Sequence, residues 1–165
     1  MFTILPSWGL ANAAATLVGQ NLGAKQPERA EQSVWKCAFY NMLFLAFVSL
    51  VFGIWAETFV GMFSSEFEVV KYGALALRII CCGYIFFAYG MVIGQSFNGA
   101  GDTKTPTVIN FFCFWLFEVP LAWVLARMLD LGPLGIFTAI ALAVALYAIV
   151  SIVLFRRGLW KQVQV

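Results

Sequence analysis

The chain has 165 residues, of which 62% are apolar and 11% charged, with a net charge of only +2. Soluble domains are about 25% charged, so the composition argues against a soluble globule and makes a lipid bilayer the expected surroundings. The small net charge speaks against nucleic acid as a partner, and the lack of histidine excludes imidazole acid–base catalysis and imidazole metal ligation.

A membrane-spanning helix takes about 20 mainly apolar residues. The first apolar stretch, residues 2–19, is short for a span. Pro6 interrupts it and no basic segment precedes it, so it reads as the end of a membrane helix rather than a cleaved leader. The polar "QNLGAKQPERAEQ" follows, with glycine to stop one helix and Pro27 to restart structure. The first full span is expected over residues 35–56. Next comes "SSEFE", where Ser64 is a good cap position and Glu68 sits in the following turn.

The second full span is expected over residues 72–97 and ends in "GAGDTKTP". Gly99 and Gly101 allow a reversal there. Asp102 favours the positive end of the next helix, and Pro106 suits its first turn. The third span covers residues 107–127, "DLGPLG" separates it from the fourth, and the fourth covers residues 133–155. The expected fold class is all-α: a polytopic membrane helix bundle with four full transmembrane helices and the end of a fifth, and no second domain.

"VGQNLGAKQP" and "IGQSFNGAGDTKTP" form a faint internal echo, each with Gly-Gln, then Gly-Ala, then a basic residue before proline. It reads either as a transporter repeat or as one way of ending a membrane helix, used twice. Basic residues near helix ends set orientation. Lys25, Arg29 and Lys36 surround the first loop, Lys104 lies in the third, and Arg156, Arg157 and Lys161 follow the last helix. These segments, the C-terminus included, are expected on the cytoplasmic side. Cys37, Cys81, Cys82 and Cys113 lie in apolar runs without C-x-x-C spacing and read as small buried hydrophobes, not as a disulfide or metal framework.

Two charges fall inside expected spans, Arg78 and Glu118. An ionisable group at a helix centre costs about 2.5–3.5 kcal/mol on insertion scales, which makes both candidates for function. Pro120 lies two residues beyond Glu118 and cannot donate to the Leu116 carbonyl, so a carboxyl there is suited to holding a proton or a small cation. At 100° per residue, Asn110, Phe114, Phe117 and Leu121 share a side with Glu118. That face, polar at two points and aromatic between them, suits an amphiphilic organic cation. The competing reading is a structural ion pair. Arg78 and Glu118 are close enough in depth to meet, and Arg78 is the candidate structural partner. Gln95 and Asn98, near the cytoplasmic end of the second span, are candidate helix-end polar contacts. Gly99 and Gly101 lack the spacing of a nucleotide loop. No metal site, cofactor or enzyme site is expected.

"LVGQNLGAKQPERAEQ", "NGAGDTKTPTVINFFCFWLFEVPLAWVLA" and "LGPLGIFTAIALA…FRRGLWK", in that order, resemble the multidrug and toxic compound extrusion (MATE) family. The resemblance covers essentially the whole chain. It implies most of a C-terminal six-helix lobe, from the end of the eighth helix through the twelfth, with the amino-terminal lobe absent. It implies part of a secondary active antiporter in a prokaryotic inner membrane, exporting organic cations or drugs in exchange for Na+ or H+ by a rocking motion, and inactive as this piece alone. The family's sodium-type site uses acids on the seventh and tenth helices. Residues 72–97, which match the tenth, contain none, and this departure leaves Glu118 as the central acid. A non-transporting membrane module that assembles with a partner chain is the alternative.

Overall fold

The computed structural model of the chain describes residues 4–162; residues 2 and 3 of the first expected stretch lie outside them. The described residues form six helices: α1 (Ile4–Gly23), α2 (Pro27–Ile54), α3 (Ala56–Gly61), α4 (Phe67–Gly99), α5 (Lys104–Met128) and α6 (Pro133–Arg156). A 3-10 turn, Leu159–Gln162, follows. Four of these helices, α2, α4, α5 and α6, are long and apolar enough to cross a membrane.

α4 is the centre of the bundle. It packs against α1, α2, α3, α6 and the first turns of α5. Its 33 residues rise about 50 Å at 1.5 Å each, well beyond a hydrocarbon layer of about 30 Å. The contact faces carry small side chains: Ala11, Ala14, Ala30, Ala38 and Ala100 are fully buried beside Val92, Ile93 and Phe97. Large apolar groups point outward instead, such as Phe47 at 68% exposure and Trp115 at 71%. In lipid, burying apolar surface between helices gains little, and close approach through small residues holds them together.

The helices begin earlier than apolar length suggests. α2 starts at Pro27, at its first turn, because polar residues extend a helix readily once it leaves the bilayer. The first connection shrinks to residues 24–26. Ser64 accepts a hydrogen bond from the Glu66 N–H at 3.3 Å, and Glu66 itself holds the cap position of α4.

The echo in the sequence is a shared way of stopping. After α1, Lys25 N–H donates to the Leu22 carbonyl and Gln26 N–H to Asn21. After α4, Gly101 N–H donates to Asn98 and Asp102 N–H to Phe97, in the same pattern. Lys25 at φ 57° and Gly101 at φ 80° hold the left-handed position that such a stop requires. The Gly-Ala pairs of the two segments align in this pattern; the Gly-Gln pairs fall one residue out of step. Asp102 then caps α5, its carboxylate accepting from Thr105 N–H at 3.0 Å and from Thr105 Oγ1 at 2.6 Å. Gly99 has another task than the reversal. A Cβ there would stand 2.7 Å from Ala15 Cα, so Gly99 is what lets α1 cross α4 backbone to backbone.

α5 is continuous but not uniform. Residues Lys104–Asn110 are α-helical, Phe111–Glu118 are π-helical, Val119–Trp123 return to α, and Val124–Met128 are π-helical again. Pro120 cannot donate to the carbonyl four residues back, and the turn before it relaxes into the wider i→i+5 pattern. α5 packs along α6 and meets α4 mainly through Lys104–Asn110.

The last segment folds back on the bundle. Gly158, at φ 72°, makes the reversal. Trp160 then stacks on Phe155 at 4.6 Å and donates Nε1–H to the Phe155 carbonyl at 2.9 Å. Lys161 pairs with Glu31 at the start of α2.

Candidate functional site

The start of α5 approaches α4 and α6, and a cavity of about 280 Å³ opens between the three helices. α4 lines it with Phe87, Met91, Gln95 and Asn98, three or four residues apart on one face. α5 contributes Asn110 and Phe114, and α6 contributes Tyr147. Four of the residues singled out in the sequence (Gln95, Asn98, Asn110, Phe114) therefore come together. Gln95 and Asn98 also bond each other, Asn98 Nδ2 donating to Gln95 Oε1 at 3.0 Å.

Phe117 and Glu118 do not line this cavity. The wheel that grouped them with Asn110 assumes an α-helix, and the π-helical turns from Phe111 change the angle between successive side chains. Glu118 is half-buried, four residues beyond Phe114 on the π-helical part of α5. The ion pairs among the described residues are Arg78–Glu57 and Lys161–Glu31, so Glu118 has no charged partner there.

The Arg78–Glu118 pair, the competing reading of the sequence, is not formed. Arg78 Nη2 donates to Glu57 Oε1 at 3.1 Å, and Nε donates to the Gly53 carbonyl at 3.3 Å. The bend at Trp55 between α2 and α3 explains this choice. It carries the Glu57 carboxylate and a carbonyl from the last turn of α2, one of the four left without a partner inside the helix, up to the flank of α4. Glu118 sits on a helix that lies along α6 from its start onward.

Tyr147 is the residue the sequence reading missed. Its ring lies 5.4 Å from Phe114, tilted by 34°, and it packs against α4 where Gly90 and Gly94 leave room. The Gly90-x-x-x-Gly94 spacing is the signal for such a close approach. The cavity thus offers aromatic faces from Phe87, Phe114 and Tyr147, with amides from Gln95, Asn98 and Asn110. No carboxylate lines it among the described residues. The lining thus presents ring faces and amide groups, with the carboxylate of α5 set apart at Glu118.

The MatE family profile matches residues 1–124. The chain belongs to the MatE family. Among similar proteins, a probable multidrug resistance protein NorM of Thermotoga maritima is 23% identical over 97% of this chain and 34% of its own length. A probable multidrug resistance protein YoeA of Bacillus subtilis is 24% identical over 98% of this chain and 35% of its own length. The MatE chain spans about a third of the length of these curated relatives. A solved structure, described as the inward-facing conformation of a multidrug resistance MATE family transporter of the MOP superfamily, has the same fold. It matches all of this chain and 39% of its own, with a TM-score of 0.89 at 20% identity. Family membership and the four spanning helices make this MatE chain an integral membrane protein.

Proposed function

We propose that the MatE chain forms part of a secondary active efflux transporter that exports organic cations or drugs in exchange for Na+ or H+. The observation that carries this reading is the convergence of Gln95, Asn98, Asn110, Phe114 and Tyr147 on one cavity, with Glu118 about one turn away. Rings and amides select an amphiphilic cation without a fixed charge partner, which suits release as well as capture. Glu118 is the coupling carboxylate: at membrane depth, beside Pro120, it binds a proton or a sodium ion in alternation with the passage of substrate.

The transport cycle in this proposal is a rocking of the helix bundle against a facing amino-terminal lobe. That lobe completes the cavity, and the chain alone does not transport. The relatives' threefold greater length supports this reading. The protein is placed in a prokaryotic inner membrane, with its C-terminus cytoplasmic. The clustering of Lys25, Arg29, Lys104, Arg156, Arg157 and Lys161 around one set of helix ends supports that orientation. No enzymatic step or cofactor enters the scheme.

The test is ion-driven export of a fluorescent aromatic cation from vesicles holding the whole protein, wild type against Glu118→Gln. The expected result is normal insertion and loss of ion-driven export in the variant. Export that survives intact removes Glu118 from coupling.

A further inference from the structure

α4 and α6 run side by side in the same direction and in a fixed register. Gly83 faces Ala141 and Gly90 faces Ala148, where an added Cβ would stand 3.7 Å and 3.4 Å from the facing Cα. Further along, Phe97 meets Phe155 with ring centroids 5.9 Å apart. The offset is the same in all three pairs, so Gly94 lies level with residues 151–152 of α6. The Tyr147 ring follows this seam, with Cδ1 against Gly90 and the hydroxyl against Gly94. It therefore points toward the C-terminal end of α6 and brings its oxygen to the level of Ser151, one turn on along the same face.

Ser151 is fully buried, and its Oγ has no hydrogen-bond partner among the described residues. A helix serine can return its proton to the carbonyl four residues back, as buried Ser96 does to Val92 at 2.7 Å. Ser151 does not. Its hydroxyl instead lies near enough to act on that of Tyr147. Tyr147 lines the cavity together with Gly94, so its hydroxyl end opens on that space. These two surroundings fix which group donates. If Tyr147 donated to Ser151, the serine proton would stay in the sealed interior without an acceptor, which burial makes costly. With Ser151 as the donor, the unanswered proton is that of Tyr147, and it faces the cavity.

Resting on the organic-cation reading of this cavity, we propose that Ser151 donates to the Tyr147 oxygen and Tyr147 offers its own proton to the substrate, so that the site selects aromatic cations carrying an acceptor oxygen. Gln95, Asn98 and Asn110 each present both a donor and an acceptor, so none of them discriminates alone. Tyr147, with its oxygen engaged by Ser151, is left as a donor. A substrate with a carbonyl beside its ring answers that proton, and one with a methylene there leaves it unpaired. Ser151 touches no substrate in this scheme and is a positioning residue.

The test is binding of two matched probes, 6-acetyl-1-methylquinolinium and 6-ethyl-1-methylquinolinium, to the protein in lipid nanodiscs. The quantity read is affinity for the acetyl probe relative to the ethyl probe. Tyr147→Phe keeps the ring and lowers this ratio about five-fold, the factor that one net hydrogen bond supplies. Ser151→Ala lowers it about two-fold, because the tyrosine hydroxyl is no longer held in place. Ser96→Ala, whose hydroxyl is spent on its own helix, leaves it unchanged. A ratio indifferent to Tyr147→Phe overturns the proposal, and so do equal effects of Ser151→Ala and Ser96→Ala. In either case, binding of both probes that is weakened by Phe114→Ala leaves the cation site standing. If neither probe binds, both readings fall.

Discussion

Tyr147 of α6 fits against α4 because residue 94 is glycine: a Cβ at Gly94 would run into the Tyr147 hydroxyl oxygen. One turn earlier, a Cβ at Gly90 would stand 2.7 Å from Tyr147 Cδ1. The two glycines cut the notch that brings the tyrosine ring to Phe114 and into the cavity.

Gly94→Ala is therefore expected to displace the tyrosine, at a cost of about 1 kcal/mol, the low end for overpacking because the ring can swing. Tyr147→Phe in the same background removes the clashing oxygen and recovers part of the loss. Unfolding in detergent of the single and double variants measures both. A neutral Gly94→Ala, or a double variant no better than the single, contradicts this packing.

Gly99 and Gly101 are two residues apart and respond differently to alanine. At Gly101 the obstacle is the positive φ of 80°, which costs an L-residue about 1–2 kcal/mol. At Gly99 the obstacle is the backbone of α1, with Ala15 Cα 2.7 Å from the added Cβ, and a backbone cannot swing aside. Gly99→Ala is expected to be the more damaging, by separating α1 from α4. Cross-linking of cysteines placed at Ala15 and Ala100 reads that separation: it drops sharply with Gly99→Ala and persists with Gly101→Ala.

Trp160 lies outside every expected span and is nonetheless 1% exposed. Truncating a buried tryptophan to alanine costs about 3–5 kcal/mol, and Trp160→Ala also removes the bond to the Phe155 carbonyl. Trp115→Ala, at 71% exposure, is expected to be close to neutral. Thermal unfolding of the two variants side by side checks the contrast, and equal effects contradict it.

The Arg78–Glu57 pair is substantially exposed, at 46% and 68% of the side chains, and exposed pairs contribute about 0–1 kcal/mol. Glu57→Gln is expected to lower stability by less than about 1 kcal/mol. Arg78→Leu is expected to gain no rescue from Glu118→Leu, because the two residues do not meet. A strong rescue in that double variant would contradict this and favour the Arg78–Glu118 pair.

These cases separate what the chain shows by itself from what it does not. Spans were legible because apolar length is a local property, and Asp102 and Gly101 signalled their turn by residue type alone. The starts of α2 and α4 were not, since the polar residues flanking them, such as Glu28 and Glu68, are good helix formers that hydropathy reads as loop. The π-helical turns of "FFCFWLFE" carry no marker of their own, and Pro120 announces them only from beyond their end. The 100° step that groups Phe117 and Glu118 with Asn110 belongs to an α-helix and does not hold across these wider turns. The partner of Arg78 is not legible in the sequence, where Glu57 reads as a loop residue, because the bend at Trp55 that presents it depends on tertiary packing. Tyr147 was overlooked as one more apolar-helix residue, although Gly90 and Gly94 marked the place where something large had to fit.

In the proposed transport cycle one carboxylate, Glu118, links an organic-cation site to a driving ion. The most direct test is binding of tetraphenylphosphonium to the protein in lipid nanodiscs, titrated against Na+ and against protons. Competition between ion and substrate is reciprocal, so in the wild type one of the two ions weakens cation binding, and Phe114→Ala weakens it at every ion concentration. In Glu118→Gln the predicted result is cation binding that no longer responds to either ion. Competition that persists unchanged in Glu118→Gln, or cation binding indifferent to Phe114→Ala, would contradict the account.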